Sequence, residues 1–293
     1  MGMKVMIIGA GGQLGSDLTR ELSSYELIPM LHSDIEVADI GSIRVAFSKF
    51  KPDAVINTAA FHQPDQCEEN PDKAFLVNAL GARNLAVVAG EEKIRLVQIS
   101  SDYVFGGDEN RRIPYTEFDP TSPINVVGRA KVAAEKFVQT FCPRHFIVRV
   151  SGLFGLLGRS GKGTNFVETI LRLSKERSEL RVVTDQIFSP TYCPDAARKI
   201  GQIISTDYYG IYHITNQGSC SWYEFSREIL RLAGSKVPVT PITSEQYHAV
   251  KARRPCFSVL DNCQLRLLGI NDMKPWQEAL LSYMKLKGHL ATG

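Results

Sequence analysis

Val5-Met6-Ile7-Ile8 is an unbroken apolar run halted by glycines, the pattern of a buried strand. Leu14, Leu18 and Leu22 then recur at helical spacing, and the same change of period repeats down the first half of the chain. Residues 26–31, 54–56, 96–99 and 146–150 read as further strands; residues 14–22, 43–50, 74–89 and 125–141 read as helices. Strand and helix alternate without interruption, which implies parallel strands joined by crossover helices. The expected class is α/β, a doubly wound parallel sheet.

Past residue 150 the rhythm loosens. Residues 155–163 hold four glycines together with Arg159 and Lys162, a composition that predicts a mobile loop. Helices are expected at 165–177, 194–205, 222–233 and 276–286, with short strands near 181–183 and 210–214. Residues 1–150 thus make a first domain, and residues 151–293 mostly a smaller mixed lobe, with returns to the first domain near 186–215.

The 293 residues are 44% hydrophobic and 22% charged, enough for a sizeable core, which excludes disorder. A net charge of +3, from 34 basic and 31 acidic side chains, argues against nucleic acid as a partner. No apolar stretch reaches the length of a membrane span, and the opening lacks the pattern of a signal peptide. The six cysteines are scattered without a C-x-x-C pair, so they read as reduced thiols in a cytoplasmic protein with no metal site.

The first candidate site is Gly9-Ala10-Gly11-Gly12-Gln13-Leu14-Gly15, where a strand hands over to a helix. Glycines there permit a tight turn and close approach of backbone to a pyrophosphate, which the helix N-terminus then holds. Asp34 lies 19 residues after Gly15, near the distance at which an acidic residue meets a ribose hydroxyl. A solvated loop charge is an equal reading of Asp34. No arginine stands at His32-Ser33, which leans toward NADH, although those two residues could still accommodate the phosphate of NADPH.

The spacing Gly9, Gly12, Gly15 resembles the extended branch of the short-chain dehydrogenase/reductase superfamily. Asn57-Thr58-Ala59-Ala60-Phe61 resembles its N-A-A-A-Y segment, and Val77-Asn78-Ala79 its V-N-A. Ile99-Ser100-Ser101-Asp102-Tyr103-Val104-Phe105 is very similar to the I-S-T-D-Y-V-F of dTDP-4-dehydrorhamnose reductases. Asn165-Phe166-Val167, Ser221-Trp222-Tyr223-Glu224-Phe225 and Arg254-Pro255 extend the likeness to that family over more than 250 residues. The resemblance implies a Rossmann-type doubly wound sheet with a smaller mixed α/β substrate-binding lobe. It also implies an oxidoreductase that passes a hydride from NADPH or NADH to C4 of a nucleotide-bound 4-keto-6-deoxy sugar.

Carried over residue by residue, the cofactor would meet Gly9, Gly11, Gly12, Gln13, Leu14 and Gly15. Its adenine would lie near Asp39 and Ile40, and its remainder along Ala59, Ala60, Phe61, Asn78 and Lys131. The resemblance makes Ser101 the hydroxyl that holds the carbonyl and Lys131 the lysine that holds the nicotinamide ribose. Ser101, Asp102, Tyr103, Asn165 and Arg254 would bind substrate. The chain would act as a monomer or homodimer.

One position breaks the pattern. The family reads P-x-N-x-Y-G-x-S-K around its acid; here Pro123-Ile124-Asn125-Val126-Val127-Gly128-Arg129-Ala130-Lys131 puts Val127 where the phenol belongs. Valine carries no proton to give. Gly152 stands for a usual Trp, and Phe188 for a usual Gly. These departures leave two expectations: an impaired or altered reductase with Tyr103 the nearest substitute phenol, or a non-catalytic regulatory protein that binds the cofactor or nucleotide sugar.

Overall fold

The structure is a computed structural model that describes residues 2–156, 165–247 and 251–291. Most of the expected glycine-rich loop, including Arg159 and Lys162, lies outside the described residues. In chain order the strands are β1 (Lys4–Ile8), β2 (Glu26–Met30), β3 (Ala54–Asn57), β4 (Arg95–Ser101), β5 (His145–Val150) and β6 (Leu153–Phe154). They continue with β7 (Leu180–Val183), β8 (Ile187–Phe188), β9 (Thr191–Tyr192), β10 (Gly210–His213), β11 (Cys220–Ser221) and β12 (Val239–Ile242). The helices are α1 (Gln13–Glu21), α2 (Ile40–Phe50), α3 (Pro64–Glu69), α4 (Pro71–Phe75), α5 (Gly81–Glu91) and α6 (Val126–Phe141). After these come α7 (Phe166–Glu176), α8 (Cys193–Ile204), α9 (Trp222–Leu232), α10 (Cys263–Leu267) and α11 (Trp276–Leu286).

The main sheet has six strands in the order β10-β5-β4-β3-β1-β2, every neighbouring pair parallel. Its central strands are apolar on both sides because helices cover both faces. One face carries Leu14 and Leu18 of α1 with Ala196 and Ile200 of α8. The opposite face carries Ile43 and Phe47 of α2, Leu85 of α5 and Ala134 and Val138 of α6. The sixth strand and α8 belong to the second half of the sequence yet complete this sheet and its core. A separate cluster of Phe154, Phe188, Phe225, Trp276 and Tyr283 forms the core of the second lobe.

The expected single helix over 74–89 is three pieces. Helix α4 runs into a π-helical turn, Leu76–Leu80, before α5 begins. That wide turn places Asn78, 2% exposed, with its amide toward Phe61. Helices α3 and α10 and strand β12 are too short to leave a periodic signal in the sequence.

Candidate active site

Strands β1, β3, β4 and β5 all end at the same edge of the sheet, with Ile8 beside Asn57 and Ser101 beside Val150. The chain leaves β1 toward β2 on one side and returns as β3 on the other, so a crevice opens between their ends. Gly9 turns there with φ +80°; a Cβ on it would lie 2.7 Å from Thr58 Oγ1 and 2.9 Å from Ala59 N. A Cβ at Gly15 would lie 2.2 Å from the Gly9 carbonyl oxygen. Only glycine allows the loop, the post-β3 segment and the start of α1 to approach this closely.

Helix α1 begins without a side-chain cap, Gly12 sitting at its N-cap in extended conformation. The first N–H groups of an uncapped helix have no intrahelical partner and carry a partial positive charge, which suits an anion. Gln13 donates through Nε2 to the Leu153 carbonyl at 2.9 Å, while its buried Oε1 has no partner among the described residues. Leu14 buries its side chain, so only its backbone can meet a ligand.

Beyond β3, Ala59 and Ala60 are half-buried and line up beside the glycine turn. Asn78 clamps the next residue at both ends: Phe61 N donates to Asn78 Oδ1 and Asn78 Nδ2 donates to the Phe61 carbonyl, each at 2.8 Å. Asn78 therefore shapes this wall from behind. On the far side of the crevice Asp39 caps α2, its Oδ1 accepting from Gly41 N at 2.8 Å, with Ile40 half-buried beside it. Asp34 accepts from Leu31 N at 2.7 Å and closes the turn after β2.

Ser101 ends β4 half-buried; its hydroxyl donates to Asp102 Oδ1 at 2.9 Å and accepts from Tyr103 N. Asp102 is tied within the protein. Ser151 and Ser258 donate to its Oδ2 at 2.8 and 2.7 Å, and it is 6% exposed. Burial pushes its carboxyl above the usual range, against the pull of the three hydroxyls. Asn165 is likewise spoken for. Its Oδ1 caps α7, and its Nδ2 donates to the Gly155 carbonyl and the Tyr283 hydroxyl at 3.0 Å each. In this structure both side chains serve as structural ties, their strong acceptors and donors matched inside the protein.

Helix α6 brings residue 127 to Tyr103 and Phe61. Asn125 caps it by accepting from Gly128 N at 2.8 Å, and a Cβ at Gly128 would lie 2.0 Å from the Tyr103 carbonyl oxygen. Val127, 5% exposed, packs with Val126, Cys67 and Ala74 against Phe61 and Tyr103. One turn on, Lys131 is buried and donates to the Ile99 carbonyl at 2.9 Å. Burial lowers its pKa to about 8, the nearby Glu135 carboxylate opposing the shift. Arg254 is partly buried and pairs with Asp65 at 3.3 Å; Asp65 also accepts from the backbone of Lys251 and Ala252, and Asn125 Nδ2 donates to the Arg253 carbonyl. The segment around Arg254 is thereby strapped to α3 and to the cap of α6. Arg253 is exposed and pairs with Glu109.

Behind β4 lies a buried network that the sequence did not announce. Arg149 meets Glu135 through two hydrogen bonds of 2.9 and 2.7 Å, Ser100 donates to the same carboxylate at 2.6 Å, and His213 Nε2 lies 3.3 Å from Arg149. Burial and the Arg149 charge push the His213 pKa down to about 3. The signal was a lone arginine inside the apolar run of β5, and Glu135 four residues after Lys131 on one helical face.

The two remaining departures from the family pattern touch each other. Gly152 adopts φ +49°, and a Cβ there would lie 2.2 Å from Phe188 Cε2. The Phe188 ring, stacked on Trp222 at 3.8 Å between centroids, occupies the space a side chain at 152 would need. An aromatic group lost from one segment is supplied by the other.

No helix is long and apolar enough to cross a membrane among the described residues, and no cluster of His, Cys, Asp and Glu there is arranged to hold a metal.

Comparison with known proteins accounts for nearly the whole chain. The sequence model described as the RmlD substrate binding domain matches residues 3–287. A spore coat polysaccharide biosynthesis protein, SpsK of Bacillus subtilis, is 40% identical over 284 residues, covering 96% of this chain and 97% of that protein. A dTDP-4-dehydrorhamnose reductase of Aggregatibacter actinomycetemcomitans is 35% identical over 292 residues, covering 94% and 97%. The crystal structure of a dTDP-4-dehydrorhamnose reductase from Bacillus anthracis in complex with NADP superposes with a TM-score of 0.92 at 40% identity, covering 98% of this chain and all of that one.

Proposed function

Since the chain belongs to the RmlD substrate-binding-domain family, we propose that it is an NADPH- or NADH-dependent reductase of a nucleotide-activated 4-keto-6-deoxy sugar, altered in its proton delivery. The observation that carries this reading is the convergence of three features at one edge of the sheet: the glycine cradle after β1, Ser101 at the end of β4, and buried Lys131 beneath it.

The residues fit a dinucleotide. The cradle leaves no room for a Cβ at Gly9 or Gly15, and α1 opens uncapped toward the crevice, where a pyrophosphate finds free N–H groups. Asp39 and Ile40 lie on the side of β2, suited to the adenosine end. Lys131 suits the ribose at the nicotinamide end, because an ammonium offers three donors and the protein engages one of them, at Ile99. When bound, the cofactor supplies the hydride for the carbonyl carbon. Ser101 holds the carbonyl oxygen once its hydroxyl turns from Asp102 toward the substrate. Arg254, anchored by Asp65, suits a diphosphate that passes between the lobes.

The test is cofactor oxidation with dTDP-4-keto-6-deoxyhexose; steady, enzyme-dependent turnover is expected. A second reading, a regulatory protein that binds cofactor or nucleotide sugar without turning it over, draws on one observation. The phenol position is filled by Val127 inside an apolar cluster. Binding of NADPH with no turnover would favour it.

A further inference from the structure

The lysine below Val127 can do more than hold a ribose, an inference that deepens the reductase reading on which it rests. We propose that Lys131 is the proton donor of this enzyme, delivering its proton to the substrate oxygen held at Ser101 through one bridging water.

The geometry starts at Val127. Residues 127 and 131 share a face of α6 one turn apart, so with no phenol at 127 the next proton-bearing group along that face is the ammonium. Lys131 is 7% exposed, and among the described residues its Nζ donates to the Ile99 carbonyl alone. Two donors of a buried ammonium are therefore left for groups that enter the cleft. The Ile99 carbonyl that holds Nζ stands two residues before Ser101 on β4, so the ammonium and an oxygen held at Ser101 sit at neighbouring points of one strand end, a gap for one water to bridge.

The charges around this lysine suit the task. Glu135, one turn further along α6, keeps it protonated enough to act, and Arg149 and Ser100 occupy that carboxylate so that it does not take the proton itself. From α3, Cys67 faces the lysine, but its thiol donates to the Phe61 carbonyl and burial holds its pKa at about 11. Glu68 accepts from Val126 N and lies on the same helix. The step balances: hydride reduces the carbonyl carbon, the C=O π bond becomes the O–H bond of an alcohol, and the water passes on a proton taken from Nζ. The neutral amine then recovers its proton from solvent.

Lys131→Arg keeps the charge and the donors but surrenders no proton near neutral pH. With saturating NADPH and dTDP-4-keto-6-deoxyhexose, kcat of the parent is expected to fall with one ionisation above about pH 8. Lys131→Arg is expected to bind NADPH within about 3-fold by fluorescence titration, to lose kcat by roughly 10²-fold or more, and to lose that pH limb. Lys131→Ala guards against a misfit of the larger side chain, since added methylamine should restore turnover in proportion to methylammonium. An arginine variant with parental kcat and pH profile overturns the proposal, as does an alanine variant that binds NADPH yet gains nothing from amine. Turnover in Val127→Tyr but none in the parent also overturns it, while leaving the reductase reading intact. Turnover in neither, with NADPH bound by both, removes the reductase reading itself.

Discussion

On the proposed reading, a single side chain, Val127, decides how this site moves a proton. Its isopropyl group packs with Cys67 and Ala74 at the position of the family's phenol, so on that reading acid catalysis falls to other groups. Val127→Tyr is expected to raise kcat on a 4-keto-6-deoxy sugar, the gain bounded by the roughly 10²–10⁴-fold that a positioned acid supplies. The check is a comparison of initial rates at saturating NADPH. Gly12→Asp tests the other end of the cleft. A carboxylate at the N-cap of α1 would face the pyrophosphate directly, and NADPH binding should vanish in a fluorescence titration while the fold survives. His213 tests the buried network. Its pKa of about 3 in the folded protein lies below the ordinary 6.5, so the unfolded chain binds the extra proton as pH falls. Stability from this group is complete above pH 6.5 and is lost between 6.5 and 3, at about 1.4 kcal/mol per pH unit. Urea unfolding at pH 4.5 and 7 should therefore show a drop in the parent that exceeds the drop in His213→Gln by roughly 2–3 kcal/mol.

At the scale of elements, β1 and β3 to β5 were legible because each apolar run is bounded by turn residues and buried within the sheet, and α1, α2 and α6 because their apolar positions recur at helical spacing. The π-turn at Leu76–Leu80 was not, since one extra residue in a helical turn barely disturbs the hydrophobic period. The places of the glycine turn after β1, of Ser101 at the end of β4 and of Lys131 on α6 were readable because residue type at fixed spacing marks them. The internal ties of Asp102 and Asn165 were not legible for a complementary reason: motif membership does not reveal which way a side chain points, and their partners Ser258 and Tyr283 lie more than a hundred residues away. Gly152 and Phe188 stand in the sequence as separate departures from the family pattern; in the structure they touch. Phe188→Gly should cost about 3–5 kcal/mol, the scale of deleting a buried aromatic ring. Gly152→Trp alone should also destabilise, by clash and by its φ of +49°. The double variant should lose clearly less than the sum of the two, as read from denaturant midpoints; simple additivity would separate the two positions.

For the whole molecule, the second half of the chain does two jobs. It finishes the parallel sheet with α8 and β10, and it builds the second lobe around an aromatic core of its own. Gln13 and Asp17 of α1 reach Leu153 and Leu156, so the glycine cradle and the start of that lobe move as neighbours. The reading of the cleft as a working reductase stands or falls on where the hydride goes. The protein should be incubated with dTDP-4-keto-6-deoxyhexose and NADPH deuterated at the transferable position of its nicotinamide, and the sugar product analysed by mass spectrometry and NMR. Deuterium at C4 of the reduced sugar, formed in proportion to cofactor consumed, is the expected result. An unlabelled, unreduced sugar recovered from protein that demonstrably binds NADPH would contradict it.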